Sequence, residues 1–271
     1  MPEDKYLSSE MSVDADRERL SPLEQTYDPA SIRHLEMLGV TSGWKCLDVG
    51  AGFGSITTWL SERVAPDGKV VATDIRPELH RQSADIIEIR EHDILKDELE
   101  KDYYDLVHCR SLLQHLSKPD TALSKMADAV KPGGWLLIEE FDNFTTPSFD
   151  TRNESADSFY KSVHRLGQIA VKGGISVDFE FGRKTLPLIE RLGFTETGGE
   201  GTMPFSQGGD PWAKSVYASN KAGIELFADL FSQEDIKEMK ELHEKTGVYL
   251  EDPSFHFISM PLFSAWGRKP I

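Results

Sequence analysis

The stretch Lys45 to Ser55, KCLDVGAGFGS, constrains this chain more than any other: a short apolar run breaks into three glycines at alternate positions. Cys46, Leu47 and Val49 read as a buried strand, and Gly50, Gly52 and Gly54 punctuate the turn after it. From Ser55 onward Ile56, Trp59, Leu60 and Val64 recur at helical spacing, so the turn joins a strand to a helix. Glycine lets a ligand approach the backbone closely, and the first amides of a helix have no intrahelical partners. The stretch therefore reads as a nucleotide-type cradle.

Strands and helices alternate around it. Leu23 to Gly39 reads as a helix, with Asp28 and Pro29 as N-cap and first-turn residues and Gly39 at its stop. After the cradle come a second strand, Lys69 to Thr73, closed by Asp74; a helix, Pro77 to Glu88; a third strand, Ile89 to Asp93; and a fourth, Tyr104 to Cys109. A helix over Asp120 to Val130 is stopped by Lys131-Pro132-Gly133-Gly134 before a fifth strand, Trp135 to Glu139. This alternation predicts an α/β fold with a doubly wound, mostly parallel sheet. Further on, Asp150 to Val171 and Gly182 to Leu192 read as helices, Gly193 to Thr197 opens a sixth strand, and Gly198 to Pro211 is a glycine-rich loop. Helices over Trp212 to Phe231 and Gln233 to Thr246 precede a last strand, Phe255 to Trp266, broken at Pro261. Residues 1–22 are expected to form a flexible arm, and residues 23–271 one domain with a helical insertion at about 205–250.

Composition narrows the function classes. With 46 acidic against 30 basic residues the formal net charge is -16, which argues against nucleic acid as a partner. Only Cys46 and Cys109 are present, too few for a disulfide framework or a cysteine metal site, and a reducing cytoplasm suits them. No stretch has the length of apolar residues that a signal peptide or a membrane span needs, so a cytoplasmic protein without a membrane partner is expected.

The acids near the cradle decide its cargo. Asp48 stands two residues before the first glycine, and Ser55 stands where a nicotinamide fingerprint wants a further glycine. Asp74 lies 20 residues after Gly54, where a βαβ fold of this type holds ribose hydroxyls. Together with Asp93, the YDLVHC strand and KPGGWLLIEE, these residues resemble the class I S-adenosylmethionine-dependent methyltransferases over roughly residues 30 to 140. The opening YDPASIRHLEMLGVTSGWKCLDVGAGFGS also resembles small-molecule methyltransferases akin to those acting on ubiquinone and menaquinone precursors. The resemblance implies a seven-stranded Rossmann-like sheet with its last strand antiparallel, helical cap additions and S-adenosyl-L-methionine as cofactor. It implies that Gly50, Gly52 and Gly54 hold the methionine and ribose parts, with Asp48 near the amino group. Asp74 would take the ribose hydroxyls, Ile75 would flank adenine, Asp93 would accept from its amino group, Ile94 would pack on the ring, and Arg110 would line the loop beneath the methionine.

Methyl transfer is an in-line displacement at an activated sulfonium, so a base is needed only where the acceptor holds its proton tightly. His115, just past the fourth strand, and His164, in the helix that often covers the acceptor in this family, are the candidates. His34, His80, His92 and His243 fall in helical or charged surroundings and read as solvated. Glu139, Glu140 and Asp142 cluster at the end of the fifth strand, yet lack the rest of a metal-binding pattern, so no metal is expected. Aromatic residues crowd the second half, which favours an aromatic or apolar small molecule as acceptor. A monomer or homodimer is expected. Two rival readings are a nicotinamide-dependent oxidoreductase and a non-catalytic S-adenosylmethionine-binding protein.

Overall fold

The computed structural model describes residues 12–79, 85–143, 154–175 and 177–271. The strands are β1 (Lys45–Val49), β2 (Lys69–Asp74), β3 (Ile87–Glu91), β4 (Tyr104–Arg110), β5 (Val130–Phe141), β6 (Thr195–Thr202), β7 (Phe205–Gln207), β8 (His256–Ile258) and β9 (Leu262–Arg268). The helices are α1 (Val13–Met37), α2 (Ser55–Val64), α3 (Pro119–Ala129), α4 (Glu154–Lys172), α5 (Thr185–Arg191), α6 (Pro211–Leu226) and α7 (Gln233–Leu250). They divide into two compact units, one of residues 27–141, 181–202 and 262–271, the other of the described parts of 1–26, 142–180 and 203–261.

In the first unit seven strands form one sheet in the order β3-β2-β1-β4-β5-β9-β6. The first five run parallel, and β9 runs antiparallel to both β5 and β6. This is the α/β, Rossmann-like sheet expected. Its central strands β1, β2, β4 and β5 are largely buried on both faces, and side-chain alternation sorts their residues into two layers. Cys46, Val70, Leu106 and Leu137 pack with Leu35 of α1, Leu38 just past its end, and Ile56, Leu60 and Val64 of α2. Their neighbours Leu47, Val71, Val107, Leu136 and Ile138 pack with Leu123 and Met126 of α3 and Ile189 of α5 on the opposite face.

The second unit holds α4, α6, α7 and the two-stranded β7–β8 sheet. Its core brings Leu166 and Ile169 of α4 against Ile224 of α6 and Met239 of α7, closed by Phe227 and Phe231. Among the described residues no helix is long and apolar enough to cross a membrane.

Several elements differ from the sequence expectation. Helix α1 begins at Val13, ten residues before Leu23, so Asp28 and Pro29 lie inside it rather than at its cap. Proline there forfeits one backbone bond, which the buried stripe Tyr27, Ala30, Ser31, His34, Leu35 and Leu38 outweighs. Where a helix was expected over Pro77 to Glu88, the described part holds only a short 3₁₀ turn, Pro77–Leu79, and Ile87 already belongs to β3; residues 80–84 lie outside the described residues. The Lys131–Gly134 stop is an irregularity within β5: the register with β4 shifts there, and a Cβ on Gly134 would meet the Asp105 carbonyl oxygen at 2.9 Å. The first part of the expected Gly198–Pro211 loop is strand, because the Trp266 ring lies where a side chain on Gly198 would be. Phe255 to Trp266 makes two strands in different sheets, β8 and β9, parted at Pro261.

Candidate cofactor site and its buried polar layer

The glycine turn leaves β1 at the carboxyl edge of the sheet. Gly50 and Ala51 donate backbone N–H groups to the Thr73 carbonyl at 2.8 and 3.0 Å, which folds the turn over the end of β2. Gly50, Gly52 and Gly54 all have left-handed backbone, with φ of 70°, 55° and 82°. At Gly52 a Cβ would meet nothing within 4 Å, so this side of the turn is open, whereas at Gly50 it would press on Leu112 at 3.1 Å. Asp74 receives the N–H of Gly52 on one carboxylate oxygen and that of Arg76 on the other, both at 2.9 Å. Burial raises the Asp74 carboxyl above its ordinary range, against the pull of those two donors. Ile75, next along, is 49% exposed at the same edge.

Beneath the turn lies a layer of buried polar side chains. Asp48 accepts from Thr57 Oγ1 at 2.6 Å and faces His108 Nδ1 at 2.8 Å. His108 Nε2 lies 3.3 Å from Glu139, which also takes Ser264 Oγ at 2.6 Å, the Ser31 hydroxyl, and His34 Nδ1 at 3.3 Å. His34 reaches on to Glu200, 3.5 Å from its Nε2. Register makes the layer: Asp48 lies beside His108, Arg110 beside Glu139, and Ser264 opposite both Glu139 and Glu200. Asp48, His108 and Glu139 are each at most 3% exposed.

Charge pairing holds this layer ionised. Burial alone would raise Glu139 and Asp48, but His108 opposes it at both, and both carboxyls stay below their ordinary range. Burial alone would lower His108, but the carboxylates on either side raise it to about 9. Arg110 donates to Ser31 Oγ at 3.0 Å and to Asp28 at 2.7 Å. Asp28 accepts in addition from the hydroxyl of Ser55, the first residue of α2, at 3.1 Å.

A strand, an open glycine turn and an acid at the next strand's end can seat a nucleoside with hydroxyls. The turn contains no lysine, so it is not a Walker-type triphosphate loop. Residues 11–172 match the family described as Methyltransferase domain. The chain belongs to that family, the class I S-adenosylmethionine-dependent methyltransferases. A ubiquinone/menaquinone biosynthesis C-methyltransferase of Neisseria meningitidis is 30% identical over 146 residues, 51% of this chain and 58% of that protein. The protein of the same name from Pseudomonas putida is 33% identical over 120 residues, 41% of this chain and 47% of its own. The chain thus spans about half the length of the curated relatives it matches. Among solved structures, Haemonchus contortus phosphoethanolamine N-methyltransferase 2 aligns with a TM-score of 0.52 at 18% identity, covering 90% of this chain and 53% of that one. The YcgJ protein of Bacillus subtilis aligns at 0.54 and 14% identity, covering 88% and 97%. These two likenesses carry the fold.

The remaining candidate residues are scattered. Asp93, past β3, accepts from the Leu95 N–H and pairs with Lys96 at 2.8 Å; burial tends to raise it, but these donors bring it below its ordinary range. Ile94 is buried in the core with Val71 and Leu99. His115 ends the 3₁₀ turn Leu113–His115 at the sheet's carboxyl edge, with Nε2 3.2 Å from the Gln114 amide nitrogen. His164 is exposed on α4, in the other unit, so the two histidines belong to different units. The expectation of solvated histidines fails for His34, His92 and His243, which are all buried, while His80 lies outside the described residues. Glu139 and Glu140 point to opposite faces by strand alternation, and Glu140 instead caps the backbone N–H groups of Leu112, Leu113 and Gln114. Among the described residues no group of three His, Cys, Asp or Glu is arranged to hold a metal ion. His108 is the functional candidate that sequence reading passes over. Its signal is a polar residue amid the apolar Leu106, Val107 and Cys109 of a central strand.

Proposed function

We propose that the chain transfers the methyl group of S-adenosylmethionine to a small aromatic acceptor of the phenol or quinol type. The observation that carries the donor half is the open glycine turn with the Asp74 carboxylate bonded to the Gly52 N–H. Gly50, Gly52 and Gly54 receive the methionine and ribose parts, and Asp74 turns its oxygens to two ribose hydroxyls. Half-exposed Ile75 flanks the adenine, whose amino group Asp93 accepts. Bound there, the cofactor supplies a methyl group on a positively charged sulfur. Asp48 contributes negative charge under the turn, and Arg110 fixes the first residue of α2 through Asp28. At the carboxyl edge His115 takes the acceptor's proton, a role that matters for a phenol and not for a readily ionised group. The acceptor half rests on the curated C-methyltransferase relatives, whose names place them in ubiquinone and menaquinone biosynthesis.

Titration calorimetry with S-adenosylhomocysteine tests the donor half. The parent protein is expected to bind it, and Asp74→Ala to bind it about tenfold or more weakly through loss of two charge-assisted hydrogen bonds. Absent binding by the parent sinks the reading. Assay of methyl transfer to quinols, phenols, amines and carboxylates tests the acceptor half. Turnover of amines or carboxylates alone would replace the aromatic acceptor, and binding without any turnover would leave a cofactor-binding protein.

A further inference from the structure

We propose that His108 is a positioning residue for the cofactor's methionine end, acting through Asp48 as a buried imidazolium bridge to Glu139. The inference rests on the reading of the glycine turn as the S-adenosylmethionine site. Three observations carry it. The first is chemical: both ring nitrogens face carboxylates, at 2.8 Å and 3.3 Å, and an ionised carboxylate only accepts. Each nitrogen therefore carries a hydrogen, and the ring carries a charge. The second is topological. Asp48 is two residues upstream of Gly50 on β1, His108 lies beside it on β4, and Glu139 is on β5, so the bridge spans three adjacent strands directly below the turn.

The third is electrostatic. At 3% exposure Asp48 keeps its charge only because His108 and Thr57 hold it ionised. Arg110 adds to this, whereas the nearby carboxyl of Asp74 and the thiols of Cys46 and Cys109 do not carry a compensating positive charge. Without the imidazolium, Asp48 and Glu139 become two buried carboxylates with one fewer cation between them, and one of them takes up a proton. Glu139 keeps Ser31, Ser264 and His34, so the proton goes to Asp48; the remaining charge then stands on β5, two strands from the glycine turn, and attracts an ammonium and a sulfonium less. The nucleoside end, held at Asp74 and Ile75, is untouched.

This separates the two halves of the ligand, and calorimetry can read them separately. His108→Asn is expected to weaken S-adenosylhomocysteine about tenfold at pH 7, the scale of one unit charge acting across about 12 Å at the effective dielectric near a protein surface. Methylthioadenosine, which lacks the amino-acid end, is expected to bind parent and variant alike. The variant's affinity for S-adenosylhomocysteine should also rise more steeply with pH than the parent's, as Asp48 ionises. Equal loss of both ligands in a folded variant would make His108 a merely structural residue, and unchanged binding of both would remove the role; either overturns the inference. A parent that fails to bind S-adenosylhomocysteine overturns the underlying reading instead. Should His108→Asn not fold, ¹⁵N NMR of the parent's imidazoles decides: two protonated nitrogens at His108 at pH 7.5 are expected, and a neutral tautomer there overturns the proposal.

Discussion

The surroundings of Glu140 bring its carboxyl close to titrating at neutral pH. Its side chain is fully buried and holds the loop after β4 by three backbone donors: Leu112 and Leu113 at 3.0 and 2.7 Å on one oxygen, Gln114 at 3.4 Å on the other. Burial raises it most, the three N–H groups oppose that, and the charge of Glu139 adds to the rise, so that it is pushed up to about 7 from 4.5. A carboxyl raised on folding binds its proton more tightly in the native state, so it costs stability wherever it is ionised. The penalty is absent below pH 4.5, grows as pH rises, and is complete above pH 7. In full it amounts to about 3 kcal/mol, of which about 2.5 kcal/mol accrues between pH 5 and 8.

Glu140→Gln removes the titration and keeps the shape. Its amide oxygen can still receive Leu112 and Leu113, but its NH₂ group must face the Gln114 N–H, a constant cost of about 1–2 kcal/mol for donors left unpaired. Urea unfolding of both proteins at pH 5, 6, 7 and 8 isolates the residue, because every other titrating group cancels in the difference. The parent should exceed the variant in stability at pH 5 and lose about 2.5 kcal/mol of that lead by pH 8. A difference that stays constant across the series refutes the reasoning.

Two further substitutions probe the site's supports. Gly50→Ala places a side chain on a residue with φ of 70° and against Leu112, and should cost about 1–2 kcal/mol of unfolding free energy while weakening S-adenosylhomocysteine; an unaltered urea midpoint would contradict it. Ser264→Ala takes one of the hydroxyl donors from the buried Glu139 carboxylate and should cost about 1–3 kcal/mol, read from the shift in urea midpoint at unchanged slope.

What could be read from the sequence was what is local. The glycine spacing at 50, 52 and 54 and the apolar runs of β1, β2, β4 and β5 report backbone conformation and burial within a few residues, and they gave both the turn and the doubly wound sheet. The start of α1 was not legible, because polar residues such as Asp16 and Arg19 showed no apolar stripe; in the fold they pair with each other at 2.6 Å. The glycines of β6 looked like a loop because what stands against them, Trp266 at Gly198, Ser264 at Gly199 and Phe263 at Gly201, lies on β9, far away in sequence. The polar layer was hidden for the same cause. His108 meets Asp48 across 60 positions, and Ser31 meets Glu139 across 108, so only strand register reveals them. Asp48 and Arg110 stood out in the sequence as candidates, but the partners that occupy their side chains did not.

Alternation at the end of β5 explains why neighbouring carboxyls behave oppositely. Glu139 falls on the face covered by α1 and α2, where His108, His34, Ser31 and Ser264 converge on it, and it is held below its ordinary range. Glu140 falls on the other face, where Cys109 lies near and only backbone N–H groups answer it. A charged partner outweighs burial; three neutral dipoles do not. The face beneath the glycine turn therefore keeps a fixed charge pattern through the neutral range, while the loop after β4 is clamped by a carboxyl that changes state within it. Any dependence of ligand binding on pH between 6 and 8 in the parent protein should then trace to Glu140 and the loop carrying Leu112, which presses on Gly50, and should vanish in Glu140→Gln. Persistence of that dependence in the variant would return it to the polar layer.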